Sequence, residues 1–455
     1  NLYIEKSLYS VDKELYEETI NTLTSIGKNV LISNDFELEE EIISNFEFEL
    51  ESALNNDNKG IKEGIIKVLG NIGEINADSI IDYIPKLINL LRDPDRNIRT
   101  FVLDVLTKQI GKNKPYRVIP SLIDKLKTLD DLSDSLEMSV LRILVENNPE
   151  LAKEYNVVPY LLRDYHRTTP AVLLKIAEVD VNLLISAGAV DKIFERLHNY
   201  DPNTENDELN ILLEIAKENP DSLVENDRIS FLINKRSFDA KSKNKLISQI
   251  LLELSKKRAD AFTMNNIFRL FDNGFLQDEN TRQNTGRILL NIAKNNPSAL
   301  LDTRIIPQLI MNIGNNYVPG TLSSVLVELA KKDPDFVIPL LKSDTDYIDS
   351  NSKNRIDMFL AYTLSHLLET NLEDLIKFDQ ILNIVKYYGD TLMIEDIETY
   401  YVRSAFGKIS KDKLDVINQE LMRILNLNTI YRMNAASALS QLIEDNPEFV
   451  ISEDQ

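Results

Sequence analysis

Three histidines, at positions 166, 198 and 366, are the only imidazoles in 455 residues, and there is no cysteine. Disulfides, thiolate metal sites and cysteine nucleophiles are therefore excluded. The histidines stand 32 and 168 residues apart, with no His-Glu-x-x-His or other ligand spacing. Neither a P-loop nor a G-x-G-x-x-G phosphate cradle occurs, and glycine totals only 13 residues. The pairs Tyr387-Tyr388 and Tyr400-Tyr401 suit packing better than chemistry. Catalysis needs an acid, a base and a nucleophile or metal that converge, and no such set is legible. We expect a non-enzymatic protein with no catalytic residues, no cofactor and no metal.

The chemistry the sequence does carry is charge at regular spacing. One row reads Asn71, Lys175, Glu214, Glu253, Asn291, Glu328, His366 and Gln441. Three residues further on, Lys217, Lys256, Lys294 and Lys331 form a lysine row. Glu214–Lys217, Glu253–Lys256 and Glu328–Lys331 have the spacing of ordinary i, i+3 pairs, each worth about 0.2–0.5 kcal/mol on a helix. The functional alternative is a periodic charge array that reads an extended partner. Two stretches are locally basic: Arg92–Lys127, with nine Lys/Arg against four acids, and Lys235–Arg258, with eight against two. Within the second, Lys241, Lys243 and Lys245 are candidates for touching an acidic partner or a phosphate backbone, the plainer reading being charge balance along an acidic rod. Residues 1–58 hold 14 acidic and three basic residues, half of the net charge of −22. Between Asn29 and Asn58, nine carboxylates alternate with Phe36, Phe46 and Phe48. That mixture suits capture of a basic peptide, although charge runs more often only solvate.

Elements that could place such rows at even intervals are visible as an internal repeat. The phrase LLEIAKENPDSL begins at Leu212, LLNIAKNNPSAL at Leu289 and LVELAKKDPDFV at Leu326, with weaker copies at Leu69, Leu141, Leu173, Leu251, Leu364 and Leu439. A second phrase runs in step, with prolines at Pro85, Pro120, Pro159, Pro307 and Pro339. From Ala77 to Pro447 the spacing averages 37 residues over ten steps. Each period reads as two helices. The first opens at the proline phrase, where a missing N–H costs nothing. Its apolar residues Ile84, Leu87, Ile88 and Leu91 follow the i, i+3, i+4, i+7 pattern. The second carries the LLEIAKEN phrase and ends at Asn-Pro, with Asn as a left-handed cap. One such pair cannot bury enough apolar surface alone, so stacking is required. The expected fold is all-α, an α-solenoid of about eleven or twelve two-helix repeats with a ~37-residue period. Residues 1–58 are read as divergent acidic N-terminal repeats, and 59–455 as one continuous array.

This pattern resembles the HEAT/armadillo class of helical repeats, most specifically over PKLINLLRDPDRNIRTFVLDVL, Pro85 to Leu106. The resemblance implies a ladder between neighbouring repeats built by an Asp and an Arg six residues later, the positions of Asp93 and Arg99. Other repeats lack a clear pair. Deoxyhypusine-hydroxylase-like members carry His-Glu pairs for a di-iron site, and no His-Glu occurs here. The Trp/Asn array of importin-alpha-type members cannot be present, because there is no tryptophan. HEAT-like DNA glycosylases use a basic groove with aromatic contacts, whereas this chain is acidic. The class scaffolds phosphatases, carries nuclear cargo and regulates chromosome machines.

From these readings we expect a scaffold or adaptor whose curved helical surface binds another protein, basic or mixed in charge given the overall field. The alternative is a HEAT-type regulatory subunit of a DNA-organising complex, meeting nucleic acid through the local basic patches alone. No stretch approaches eighteen apolar residues, so no membrane insertion is expected, and a reducing, cytoplasmic location is the default. Asn1 is not an initiator Met, and Ser452 falls where the next first helix would begin. We therefore expect further repeats, or a partner, to cover the C-terminal end.

Overall fold

A computed structural model describes residues 13–29, 48–56, 58–132, 135–199, 201, 203–235, 241–314, 318–341, 350–368, 370–388, 405–406, 409–427 and 431–446. Among the described residues every regular element is helical. Most of the acidic stretch, with Phe36 and Phe46, lies outside them, as do Tyr400-Tyr401 and the end of the chain around Ser452. The molecule divides into two compact units, residues 1–215 and 216–455.

In the first unit, helices alternate as the repeat phrases require. They run α1 (Lys13–Gly27), α2 (Lys59–Ile75), α3 (Ile84–Asn89), α4 (Arg96–Asp104), α5 (Pro115–Lys127), α6 (Leu136–Asn147), α7 (Val158–Arg163), α8 (Thr169–Val179) and α9 (Ala189–Asn199). Helix α10 (Glu205–Glu218) contains the boundary between the units. The second helix of each repeat packs on the next: α2 meets α4 and its π-helical extension Val105–Gln109, α6 meets that extension, and α8 meets α6. First helix α3 packs on α5. Close approach of α2 to its neighbour depends on glycine. A Cβ on Gly73 would lie 2.5 Å from Ile80 Cδ1 and 2.7 Å from Ile110 Cγ1, both wholly buried side chains.

The second unit repeats the scheme with α11 (Arg228–Asn234), α12 (Lys241–Lys257), α13 (Met264–Asp272), α14 (Arg282–Asn295), α15 (Ile305–Gly314), α16 (Pro319–Lys332), α17 (Ser350–Ser365), α18 (Ile381–Tyr388), α19 (Leu414–Asn426) and α20 (Arg432–Asp445). Second helices α12, α14, α16 and α17 pack in succession, and first helices α11, α13 and α15 do the same. Their apolar residues fill the space between the two rows: Leu251, Leu254, Ile288, Leu289, Ile292, Leu326 and Leu329 are wholly buried.

Three local expectations are corrected. Pro85 and Pro159 do open their helices, but Pro120 lies inside α5, which starts five residues earlier at Pro115. Lacking an N–H, Pro120 leaves the Tyr116 carbonyl without its helical donor. The Tyr155 hydroxyl, one repeat later, donates to that carbonyl at 3.5 Å. The Asn-Pro stops are also not left-handed caps. Asn148, Asn219 and Asn296 have φ of −142°, −135° and −143°, and the equivalent caps Asn76 (−143°) and Asp180 (−153°), which no proline follows, do the same. Finally, Asp93 and Arg99 do not form a ladder. Arg99 Nη1 donates to the carbonyls of Asp93 (2.8 Å) and Pro94 (3.0 Å), closing its own loop. The Asp93 carboxylate instead takes Lys62 Nζ of the preceding repeat at 2.8 Å.

Candidate partner-binding surface

The rows read from the sequence fall on the second helices, and the structure sorts them by what each side chain touches. Glu253 and Lys256 pair at 2.6 Å on α12, and Glu328 and Lys331 pair at 3.4 Å on α16. Glu214 on α10 is half-buried and Lys217 is exposed; the Lys217 backbone carbonyl accepts from Lys257 Nζ of the next repeat. Lys294 is exposed and, among the described residues, has no ion pair. Lys241 and Lys245 are exposed near the start of α12.

Two candidates are not surface contacts at all. Asn291 is half-buried, and its amide donates to the wholly buried Ser255 hydroxyl at 3.0 Å. In its register it occupies the place of Glu253 and Glu328, but its amide nitrogen is tied to the neighbouring helix. Lys243 is buried, with 7% of its surface exposed, because the helical period turns position 243 inward between exposed 241 and 245.

Sequence reasoning missed the polar staples of which Asn291 is one. Asn266 donates to Ser230 at 2.8 Å, Asn284 to Ser248 at 2.9 Å, and Asn296 to the Ala259 carbonyl at 3.1 Å. Partners stand 36 or 37 residues apart in every case. The signal was present as polar residues at one-period spacing, but it could not be told from exposed rows. Ion pairs bridge in the same way: Arg258 holds Asp221 at 2.6 Å, Lys377 holds Asp335 at 2.5 Å and Arg423 holds Asp379 at 2.5 Å.

Four of the nine cations in the basic stretch Arg92–Lys127 are held in ion pairs. Arg92 pairs with Glu137 at 2.7 Å, Arg117 with Asp78 at 2.5 Å, Lys108 with Asp104 at 2.9 Å and Lys127 with Asp124 at 2.9 Å. By contrast α12, α14 and α16 together carry ten basic and two acidic residues. On α14 no acidic residue occurs. Equivalent positions recur there at one spacing: Lys245, Gln249, Leu252 and Lys256 on α12, Gln283, Arg287, Leu290 and Lys294 on α14, and Gly320, Ser324, Val327 and Lys331 on α16. Steps of four, three and four residues keep each set on one helix face. Leu252 and Val327 are nearly covered, at 8% and 6% exposed, while Leu290 is half-buried. The face is thus cationic, with one part-exposed aliphatic side chain, Leu290, between Arg287 and Lys294.

A buried pair of titratable groups with displaced equilibria lies in the first unit. The Tyr165 hydroxyl donates to Glu208 Oε1 at 3.3 Å, beneath the Arg196 guanidinium, 5.5 Å from the Tyr165 ring. Burial, then the Glu208 carboxylate, pushes the Tyr165 hydroxyl up. Burial also holds the Glu208 carboxyl above the usual glutamate range, only partly offset by hydrogen bonds from Tyr165 and Thr204 and by Arg196. The histidines are spent locally: Nδ1 of His198 meets the Phe194 carbonyl and Nδ1 of His366 the Tyr362 carbonyl, each at 2.9 Å. A carbonyl only accepts, so in both rings Nδ1 carries the proton. His166 Nδ1 lies 3.4 Å from the Thr168 hydroxyl. Among the described residues no group of three or more His, Asp or Glu is placed to hold a metal ion, and no helix is long and apolar enough to cross a membrane.

No family model matches the sequence. No curated protein matches it either. Among solved structures, the chain is similar to an engineered protein at 14% identity and a TM-score of 0.31, over 96% of this chain and 98% of that one. It is also similar, at 10% identity and a TM-score of 0.40, to a chain from a structure described as a phosphorylation switch controlling the interaction between cadherin and beta-catenin. That likeness covers 97% of this chain and 99% of the other. Both likenesses concern the course of the chain alone.

Proposed function

We propose that this protein is a protein-binding scaffold or adaptor, a HEAT/armadillo-type α-solenoid of about eleven or twelve two-helix repeats that acts without catalysis. The observation that supports this most is the set of side-chain hydrogen bonds joining residues 36 or 37 apart. Bonds at the sequence period are what neighbouring copies of one unit make when they stack. The consequence is a surface on which equivalent positions recur at even intervals. Such a surface binds through many shallow contacts and a few anchors. The partner is a protein of mixed charge: the net charge of −22 draws basic groups, whereas the second-helix face around α14 presents lysine and arginine. A cytoplasmic setting suits a chain with no cysteine to oxidise.

Affinity purification from the native source at two salt concentrations tests this. The expected result is a stoichiometric protein partner retained at both. Steeply salt-dependent binding to duplex DNA in place of a protein would contradict the reading and support a DNA-organising complex. A metal ion carried tightly through purification would reopen catalysis.

A further inference from the structure

Within a chain of net charge −22, the three adjacent second helices α12, α14 and α16 present Lys245, Lys256, Arg287, Lys294 and Lys331 on one face, all five exposed. We propose that their exposed face is a docking site for an acidic, extended peptide segment, anchored on Arg287 and Lys294 of α14. This rests on the scaffold reading and specifies the chemistry of what the scaffold takes.

The centre of the face is where the cations are least compensated. Lys256 and Lys331, on the flanking helices, each hold a glutamate of their own helix three residues back. The corresponding position on α14 is Asn291, whose amide is engaged by Ser255. Lys294 therefore has no carboxylate beside it, and Arg287, two turns earlier on the same face, has none either among the described residues. The half-buried Leu290 lies between them.

Spacing narrows the ligand further. Seven residues of α-helix separate Arg287 from Lys294, about 10 Å at 1.5 Å per residue. Side by side, packed helices stand ~8–10 Å apart, which sets the interval from Lys256 to Lys294 to Lys331. A polyproline II segment advances about 9 Å in three residues and returns every third side chain to one side. Carboxylates at every third position thus match Arg287 and Lys294 along α14, with apolar residues between them to cover Leu290. Nucleic acid fits less well, because none of the face's positions is an aromatic ring for base stacking.

The test uses the full chain and fluorescein-labelled peptides read by fluorescence anisotropy: (Glu-Leu-Pro)4, its neutral counterpart (Gln-Leu-Pro)4, its basic counterpart (Lys-Leu-Pro)4, and an unlabelled twelve-nucleotide oligothymidine as competitor. Expected is saturable binding of the acidic peptide at least about tenfold tighter than the neutral one. Arg287→Glu with Lys294→Glu should weaken it by about tenfold or more, the milder Arg287→Gln with Lys294→Gln by less, and Lys112→Glu, in the first unit, not at all. Both target side chains are exposed, so the thermal midpoint of each variant should equal that of the parent. Equal binding of acidic and neutral peptides, or no loss in the double variants, overturns the proposal. Competition by oligothymidine that the same variants abolish also overturns it, assigning the face to nucleic acid. If the acidic peptide fails while a native protein partner still co-purifies, the docking site falls and the scaffold reading stands.

Discussion

Removing the guanidinium of Arg142 should cost more stability than removing any exposed charge of this protein. Arg142 Nη1 donates to Asp164 Oδ2 at 2.8 Å, and both side chains are 7% exposed. The pair ties α6 to the residue that ends α7, so it links one repeat's second helix to the next repeat's first. Arg142→Met keeps most of the volume but leaves a carboxylate buried without its counter-charge, a loss of about 3–5 kcal/mol. Replacing both partners, as Arg142→Met with Asp164→Leu, removes the buried charge altogether and should return stability to the parent level or somewhat above it. As a control, Lys192 and Glu195 pair at 3.0 Å but are 35% and 59% exposed, so Lys192→Met should cost at most about 0.5 kcal/mol. Urea titrations followed by far-ultraviolet circular dichroism give all four free energies on one scale. The reasoning is refuted if Arg142→Met loses less than about 1 kcal/mol, or if the double variant is as unstable as the single one.

Glu208 should make the protein less stable as pH rises. Its folded pKa is raised by burial, so the folded state binds the proton more tightly, and stability is lost as pH climbs through and above the usual glutamate range. Thermal midpoints measured across that range should fall for the parent and fall less for Glu208→Gln, which carries no charge to bury. Gly73→Ala should destabilise by about 1–2 kcal/mol, since overpacking against Ile80 and Ile110 outweighs the helical gain of alanine. Gly320→Ala, with nothing within 4 Å of its new methyl, should be neutral or gain up to about 1 kcal/mol, and denaturant midpoints compare the two. Asn296→Ala removes bonds to the Ala259 and Phe262 carbonyls at 3.1 and 3.2 Å and should cost about 1–2 kcal/mol by the same titration.

Periodicity was legible because burial demands it. Leu289, Ile292 and their equivalents recur where a helix turns its apolar face inward, and that constraint acts on one residue at a time. Helix starts were less secure: Pro120 reads like Pro85, yet it sits mid-helix because Tyr155, a repeat away, supplies a donor to the carbonyl it orphans. Asn291 and Lys294 look alike as polar positions on one helix. Only the arrival of Ser255 from α12 makes the first a staple and leaves the second exposed. Lys243 shows the same limit, since two surface lysines flank one that the helix turns inward.

The sequence by itself determined the all-helical class, the 37-residue period and the absence of cysteine, because these follow from residue type and spacing along the chain. Tertiary structure alone decided which charges are compensated from another repeat, as Arg258 is by Asp221 and Arg92 by Glu137. Whether a lysine is neutralised depends on what a helix one period away, or its own helix three residues back, brings within about 3 Å. That is why α14, flanked by helices whose lysines hold their own glutamates, stands out only once the helices are laid side by side.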